Sequence, residues 1–225
     1  MIIVGTHHKI DLEGYNRISY LLGVYSPKVI SVEFPKGDSP EQARETIMNI
    51  RDQKARQIRS YGLDPGYEKM VLDIERNGGY EVIAAIDYAR STGAEVHFVD
   101  HPKLPLPVFN IPDLSNSIGE RLDYKTFRAL FVSLADASYT NPEIAAWFDE
   151  MLRPEIIGDN PLDDPAFQEE RENIQASEII RVDSQFHTGG MYHAFGDDDF
   201  PVPLHKRLGS RVTQSIALVD AYNHR

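Results

Sequence analysis

The chain has 225 residues, enough for one domain with a sizeable core, and its 41% apolar and 26% charged content is that of a folded globule, not of a disordered segment. Its formal charge of -12, with the acids spread along the chain, excludes a partner held through phosphates by clustered Lys and Arg, so neither DNA nor RNA is an expected ligand. No stretch reaches the roughly 20 apolar residues of a membrane helix and no secretory leader is visible, so the expectation is a cytoplasmic protein without a membrane partner.

Residues 1–4 are an apolar run and residues 28–34 a second, rich in β-branched side chains, and both read as buried strands. Between them Leu12, Ile18, Leu21 and Leu22 recur at helical spacing, with Gly23 as the stop. The opening is therefore β-α-β, a parallel crossover that puts the ends of both strands on one edge of the sheet. Ser39-Pro40-Glu41 supplies a cap, a first-turn proline and a first-turn acid to a polar helix over 39–59. A break at 62–66 precedes a helical piece over 67–75, and Gly78-Gly79 precedes a helix over 80–91 with the apolar stripe Val82, Ile83, Ala85, Ile86 and Ala89. Residues 94–99 form a third strand, closed by Asp100-His101-Pro102.

The proline-rich stretch 102–112 reads as an extended connector. Helical character returns over 118–134, 142–152 and 165–180, followed by a strand at 180–186 and a last strand at 212–219. The expected architecture is a single α/β domain over 1–225 with a central, mostly parallel sheet flanked by helices. It divides into an N-terminal half over 1–101, a helical middle over 113–165 and a C-terminal half over 166–225.

In open α/β sheets ligands bind beyond the carboxyl ends of the strands. His7 and His8, Glu33, Asp100 and His101, and His193 all fall at such ends. Two Gly-x-x-His elements, Gly5-Thr6-His7-His8 and Gly190-Met191-Tyr192-His193, each close a strand. The chain has no cysteine, so disulfides, thiolate nucleophiles and zinc–thiolate sites are excluded, and any metal is held by His, Asp and Glu. Two or more of these histidines with a carboxylate are a suitable donor set for a divalent metal such as Zn, Mn, Co or Fe and for metal-assisted hydrolysis.

Each residue also has an ordinary explanation. A histidine pair at a strand end commonly bonds its own loop. Glu33 interrupts an apolar strand, where a carboxylate needs a partner, an arginine or a functional group. Asp100 suits a turn. Glu81 suits a first helical turn, where it offsets the dipole. Arg171, within Glu169-Glu170-Arg171-Glu172, suits a solvated face, and Asp197-Asp198-Asp199 a surface turn. Nothing but residue type recommends His101, His187, His205 or His224.

Taken in order, these elements resemble the TraB/PrgY and Tiki superfamily, whose relatives include GumN, the haem-binding ChaN proteins and the erythromycin esterases. The matching pieces are Gly5-Thr6-His7-His8, Val29-Ile30-Ser31-Val32-Glu33, the run from Gly79-Tyr80-Glu81 through Ala84-Ala85-Ile86 to Gly93-Ala94 and Val99-Asp100, then Glu170-Arg171-Glu172-Asn173-Ile174 and Gly190-Met191-Tyr192-His193. They follow the family order over most of the chain. One departure is the segment 181–187, more polar than the strand the family carries before its second motif.

The resemblance implies two related α/β halves with the active cleft between them. His8 and His193 become the paired histidines, Glu33 the carboxylate beside them and Arg171 a polar partner, with Glu81 and Asp100 at further family positions. Tiki-like relatives imply a metal-dependent peptidase or amidase in which His8, His193 and Glu33 hold the metal or Glu33 acts as base, and Arg171 stabilises the oxyanion. The esterase branch implies a metal-free hydrolase with a histidine base, and the haem-binding branch a non-catalytic haem or metal module. The expected partner is a small-molecule or peptide substrate; the oligomeric state is left open.

Overall fold

The computed structural model describes residues 1–8, 11–103, 123–152, 164–196 and 202–224, apart from the side chains of 149–152. Five parallel strands form its centre: β1 (Ile2–Thr6), β2 (Val29–Pro35), β3 (Glu95–Asp100), β4 (Phe186–Gly190) and β5 (Gln214–Ala217). Their order is β3-β2-β4-β1-β5. Around them run α1 (Gly14–Tyr25), α2 (Pro40–Ser60), α3 (Pro65–Asn77), α4 (Tyr80–Thr92), α5 (Tyr124–Ser138), α6 (Pro142–Leu152), α7 (Pro165–Arg181), α8 (Met191–Phe195) and α9 (Leu204–Leu208). Most of the connector over 102–112, the first residues of the helix expected at 118–134, and the Asp197-Asp198-Asp199 turn lie outside the described residues. Among the described residues no helix is long and apolar enough to cross a membrane.

Side chains alternate across a strand, and that alternation sorts the two faces of the sheet. Val4, Ile30, Val32, Phe34 and Phe186 enter one face, against Ile18, Leu21 and Leu22 of α1 and Val82 and Ile86 of α4. On the other face Ile3 and Val99 pack with Ala176 and Ile179 of α7 and Leu204 and Leu208 of α9. A third cluster joins α2, α3, α5 and α6 through Ile58, Met70, Ile74, Phe127, Phe131 and Phe148. Ile30 is fully buried in the first of these cores. Cutting it to alanine removes its transfer energy and leaves a cavity, about 2–5 kcal/mol together.

The capping expected at Ser39 is present as a full box: Ser39 Oγ accepts from the Gln42 amide at 3.3 Å, and Gln42 Oε1 accepts from the Ser39 amide at 2.8 Å. Three boundaries differ most from the sequence reading. Helix α1 does not stop at Gly23; it runs on to Tyr25 and closes on Ser26, whose φ of 46° and amide bond to Leu22 O form a left-handed cap. The segment 180–186 is not a strand. Ile179 belongs to the buried stripe of α7, Asp183 turns the chain at φ 52°, and β4 begins only at Phe186. The polar residues 181–184 are thus a helix end and a turn. The last strand is likewise shorter than 212–219, giving way to a 3-10 turn over Leu218–Asn223.

Because all five strands are parallel, β1, β2, β3 and β4 deliver their ends to one edge. Strand β4 pairs with β1 on one side and β2 on the other. Its pairing with β1 sets Gly5 opposite Gly189 and Thr6 opposite Gly190, so the two Gly-x-x-His elements leave the sheet side by side.

Candidate functional site

Glu33 lies between Val32 and Phe34, which enter the α1 face, so alternation turns its carboxylate toward α7. There it meets three donors. The Gly190 amide donates to Oε2 at 2.5 Å, His193 Nε2 lies 3.1 Å from the same oxygen, and Arg171 Nη2 forms a tight ion pair with Oε1. Arg171 also grips Asp100 at the end of β3 with a two-pronged contact, Nε to Oδ1 and Nη2 to Oδ2, each 2.7 Å. Gln175 Nε2, one helical turn on, donates to Asp100 Oδ1 at 2.9 Å.

Arg171 is therefore not part of a solvated face; only 13% of its side chain is exposed. Arg171, Glu172, Gln175, Ala176 and Ile179 share the sheet-facing stripe of α7, and the neighbouring charges of the half-buried Glu169 and the exposed Glu170 mask it in the sequence.

His193 is the third residue of α8, which starts directly after β4. Its buried ring lies between two carboxylates. Nε2 faces Glu33, and Nδ1 is 2.9 Å from Glu172 Oε1, although its N–H axis does not point at that oxygen. Burial opposes a charge on the ring, but Glu33 and Glu172 outweigh it and raise the pKa to about 10. Glu33 runs the opposite way: burial alone would raise it, while His193 and Arg171 hold it well below the usual carboxylate range.

His8 has a φ of 40°, a left-handed conformation that costs a non-glycine residue about 1–2 kcal/mol. Its Nδ1 is 2.9 Å from Glu81 Oε1, which also accepts from Thr6 Oγ1 at 2.8 Å. Burial disfavours the imidazolium, but the hydrogen bond and charge of Glu81, with Glu33 beyond, raise its pKa to about 9. The side chain is 52% exposed, so solvent screens the more distant charges and contact with Glu81 dominates. Its Nε2 bonds to no described residue.

Two glycines form the floor on which these groups meet. A Cβ on Gly190 would lie 3.3 Å from His8 Nε2, 3.6 Å from Glu33 Oε2 and 3.8 Å from His193 Cδ2. A Cβ on Gly189 would lie 2.7 Å from Glu33 Oε2, 3.0 Å from His187 Nε2 and 3.2 Å from His193 Cδ2. Without those side chains His8, Glu33 and His193 converge on one small region, with Arg171 behind Glu33.

Glu81 and Asp100 belong to the same constellation. Glu81 stands in the first turn of α4, as the sequence suggests, but its carboxylate orients His8. His7 turns aside, its ring edge-on to Tyr139 at 4.4 Å, and burial together with the neighbouring His8 lowers its pKa to about 4. His101 packs on Phe167 with ring centroids 4.6 Å apart, and its Nε2 is 3.6 Å from Glu170. Glu172 and His187 are additions that the sequence did not single out. The spacing of Glu172 and Gln175 with Ala176 and Ile179 is the signal that a helical-wheel reading would use.

The donor atoms do not present a metal cage as they stand. Both nitrogens of His193 face carboxylates and it turns a carbon edge to the glycine floor, while both oxygens of Glu33 are engaged. Among the described residues no group of three His, Asp or Glu side chains is arranged around a single ion. What the arrangement does offer is a carboxylate-backed imidazole whose Nε2 has no partner among the described residues. Comparison of the chain with protein-family models, with curated proteins and with solved structures finds no match.

Proposed function

We propose that the chain is a hydrolase of the TraB/Tiki type that cleaves an ester or amide carbonyl, with His8 as general base. In this reading Glu81 fixes the Nδ1–H tautomer and leaves Nε2 bare to take a proton from water. The hydroxide adds to the carbonyl carbon, and the His8 imidazolium, stabilised by Glu81, returns the proton to the leaving oxygen or nitrogen. Arg171 and His193, clamped about Glu33, supply the positive potential toward which the carbonyl oxygen develops charge. The Gly-x-x-His elements of β1 and β4 then act as matching halves of one cleft.

The observation that carries this reading is the open Nε2 of His8 above the glycine floor, with Glu81 in contact behind it. Hydrolysis of 4-nitrophenyl acetate and of a chromogenic peptide amide by wild type and His8→Asn is the test. Loss of a positioned base lowers kcat by about 100- to 10,000-fold. Equal turnover by both proteins removes the reading.

A second reading retains a divalent metal, and charge permits it. The site opposes four carboxylates, Glu33, Glu81, Asp100 and Glu172, with Arg171 and with the two raised histidines His8 and His193, and a divalent ion takes the place of the protons on those rings. Activity abolished by EDTA and restored by Zn, Mn or Co selects this form, and activity that survives exhaustive EDTA selects the metal-free one.

A further inference from the structure

His187 is the second residue of β4, fully buried, at a position facing α7 where its neighbour on β1 is Ile3. A polar ring there needs its nitrogens satisfied, and one of them is. Ser184 Oγ donates to Phe186 O at 2.9 Å, so it accepts from Ser31 Oγ at 2.8 Å. The Ser31 proton is thereby used, and Ser31 Oγ accepts from His187 Nδ1 at 3.0 Å. The chain of two serines fixes the Nδ1–H tautomer, and in a neutral ring Nε2 is a bare lone pair. Burial and the nearby charge of His193 keep the ring neutral, with a pKa lowered to about 3.

That lone pair has no hydrogen-bond partner among the described residues. It lies within 3.0 Å of the point where a Gly189 Cβ would stand, and Glu33 Oε2 within 2.7 Å of the same point. Two acceptors that close on one point repel unless a donor joins them. Glu172 Oε2 and Gln175 Oε1, on the sheet-facing stripe of α7, are further buried acceptors without a described partner, and the one unpartnered donor beside them, His193 Nδ1, is turned toward Glu172 and away from this pair. Between His187 Nε2 and Glu33 Oε2 a cation is disfavoured while His193 holds its proton, because Arg171 and His193 already press positive charge on Glu33. A neutral donor with two protons fits.

We propose that His187 is a positioning residue: its Nε2 accepts from a buried water that also donates to Glu33 Oε2, fixing the carboxylate on which Arg171, His193 and the Gly190 amide converge. The role in turnover rests on the hydrolase reading; the water does not. Two buried serines, Ser31 in β2 and Ser184 in the turn before β4, aim that one imidazole. Gly189 leaves the approach between the acceptors open.

The test has two arms on the full chain. A crystal structure resolving ordered water shows one within hydrogen-bond distance of both His187 Nε2 and Glu33 Oε2; no density there, or a metal's anomalous signal there, overturns the proposal whatever the protein catalyses. In the second arm His187→Gln, whose carbonyl takes the place of Nε2, keeps kcat on 4-nitrophenyl acetate close to wild type. His187→Leu loses about 10- to 100-fold in kcat with KM unchanged, the usual scale for a supporting hydrogen bond. Both variants active as wild type, or both equally impaired, overturn it. Should His187→Leu not fold, Ser31→Ala takes its place, since it frees the tautomer; kcat must then fall, and an unchanged kcat counts against the proposal.

Discussion

His8 Nδ1 stands 2.9 Å from Glu81 Oε1, a contact that joins the loop after β1 to the first turn of α4 across 73 residues. The carboxylate both aims the ring and raises its pKa to about 9, so the free-base form gains population as the solution becomes alkaline. The logarithm of kcat/KM should therefore rise with pH up to that region. In Glu81→Gln the rising limb moves down toward the ordinary histidine value of 6.5. Its plateau drops by about 10- to 100-fold as orientation is lost. A limb that stays in place assigns the base elsewhere.

Arg171 pairs with Glu33 and Asp100 at once. Arg171→Met strands two buried carboxylates, and urea denaturation should report a loss of about 3–5 kcal/mol. Arg171→Lys keeps the charge but not the planar fork, so it recovers part of that loss and not all of it. A loss below about 1 kcal/mol, the scale of an exposed pair, contradicts the buried clamp.

The glycines of the chain differ sharply in what a methyl group would meet. Gly189→Ala drives a Cβ to 2.7 Å from Glu33 Oε2 and 3.0 Å from His187 Nε2, so it should lower both kcat and stability, the latter by about 1–3 kcal/mol. Gly23→Ala meets nothing within 4 Å and lies inside helix α1, so it should stabilise by about 0.5–1 kcal/mol and leave turnover alone. Thermal melts and initial rates of the two variants, measured together, decide it; equal behaviour argues against a crowded floor.

Stability should peak near neutrality, with a cause on each side. His193 rises from 6.5 to about 10 on folding and His8 to about 9, so the stability they add is full below pH 6.5 and is lost as the pH climbs through those values. His187 falls from 6.5 to about 3, and the unfolded chain takes up a proton that the folded ring refuses, so stability drops as the pH falls from 6.5 toward 3. The depressed Glu33 acts in the same direction below its usual 4.5. Melting temperature against pH should thus pass through a maximum near about 6.5. In His193→Gln the alkaline fall becomes shallower; an unaltered slope means that this ring is not the one responsible.

Strands β1, β2 and β3 are legible in the sequence because each is an apolar run bounded by Gly, Pro or polar residues, and α2 because Ser39 and Pro40 mark its start. Strand β4 is not. Its residues, Phe186, His187, Thr188, Gly189 and Gly190, include one large apolar side chain, and their burial comes from the strands on either side. The aliphatic pair Ile179-Ile180 draws a strand assignment to the wrong place. His8, Glu33 and His193 stand out because a strand-end histidine and a carboxylate in an apolar run are conspicuous. Glu81, Glu172 and His187 do not, since a first-turn acid, an acidic helix segment and a single histidine each have an ordinary reading, and only long-range packing gives them partners.

Strand β4 enters the sheet between β1 and β2, although both precede it by 150 residues or more of chain. A growing polypeptide that has already made β1, β2 and β3 must keep a slot open, with two unpaired strand edges exposed to wrong partners. Closing that slot requires contacts distant in sequence, the slow kind. In order of synthesis, therefore, the floor that gathers His8, Glu33 and His193 is the last part of the sheet's centre to arrive, and until it does the chain keeps those two edges unpaired.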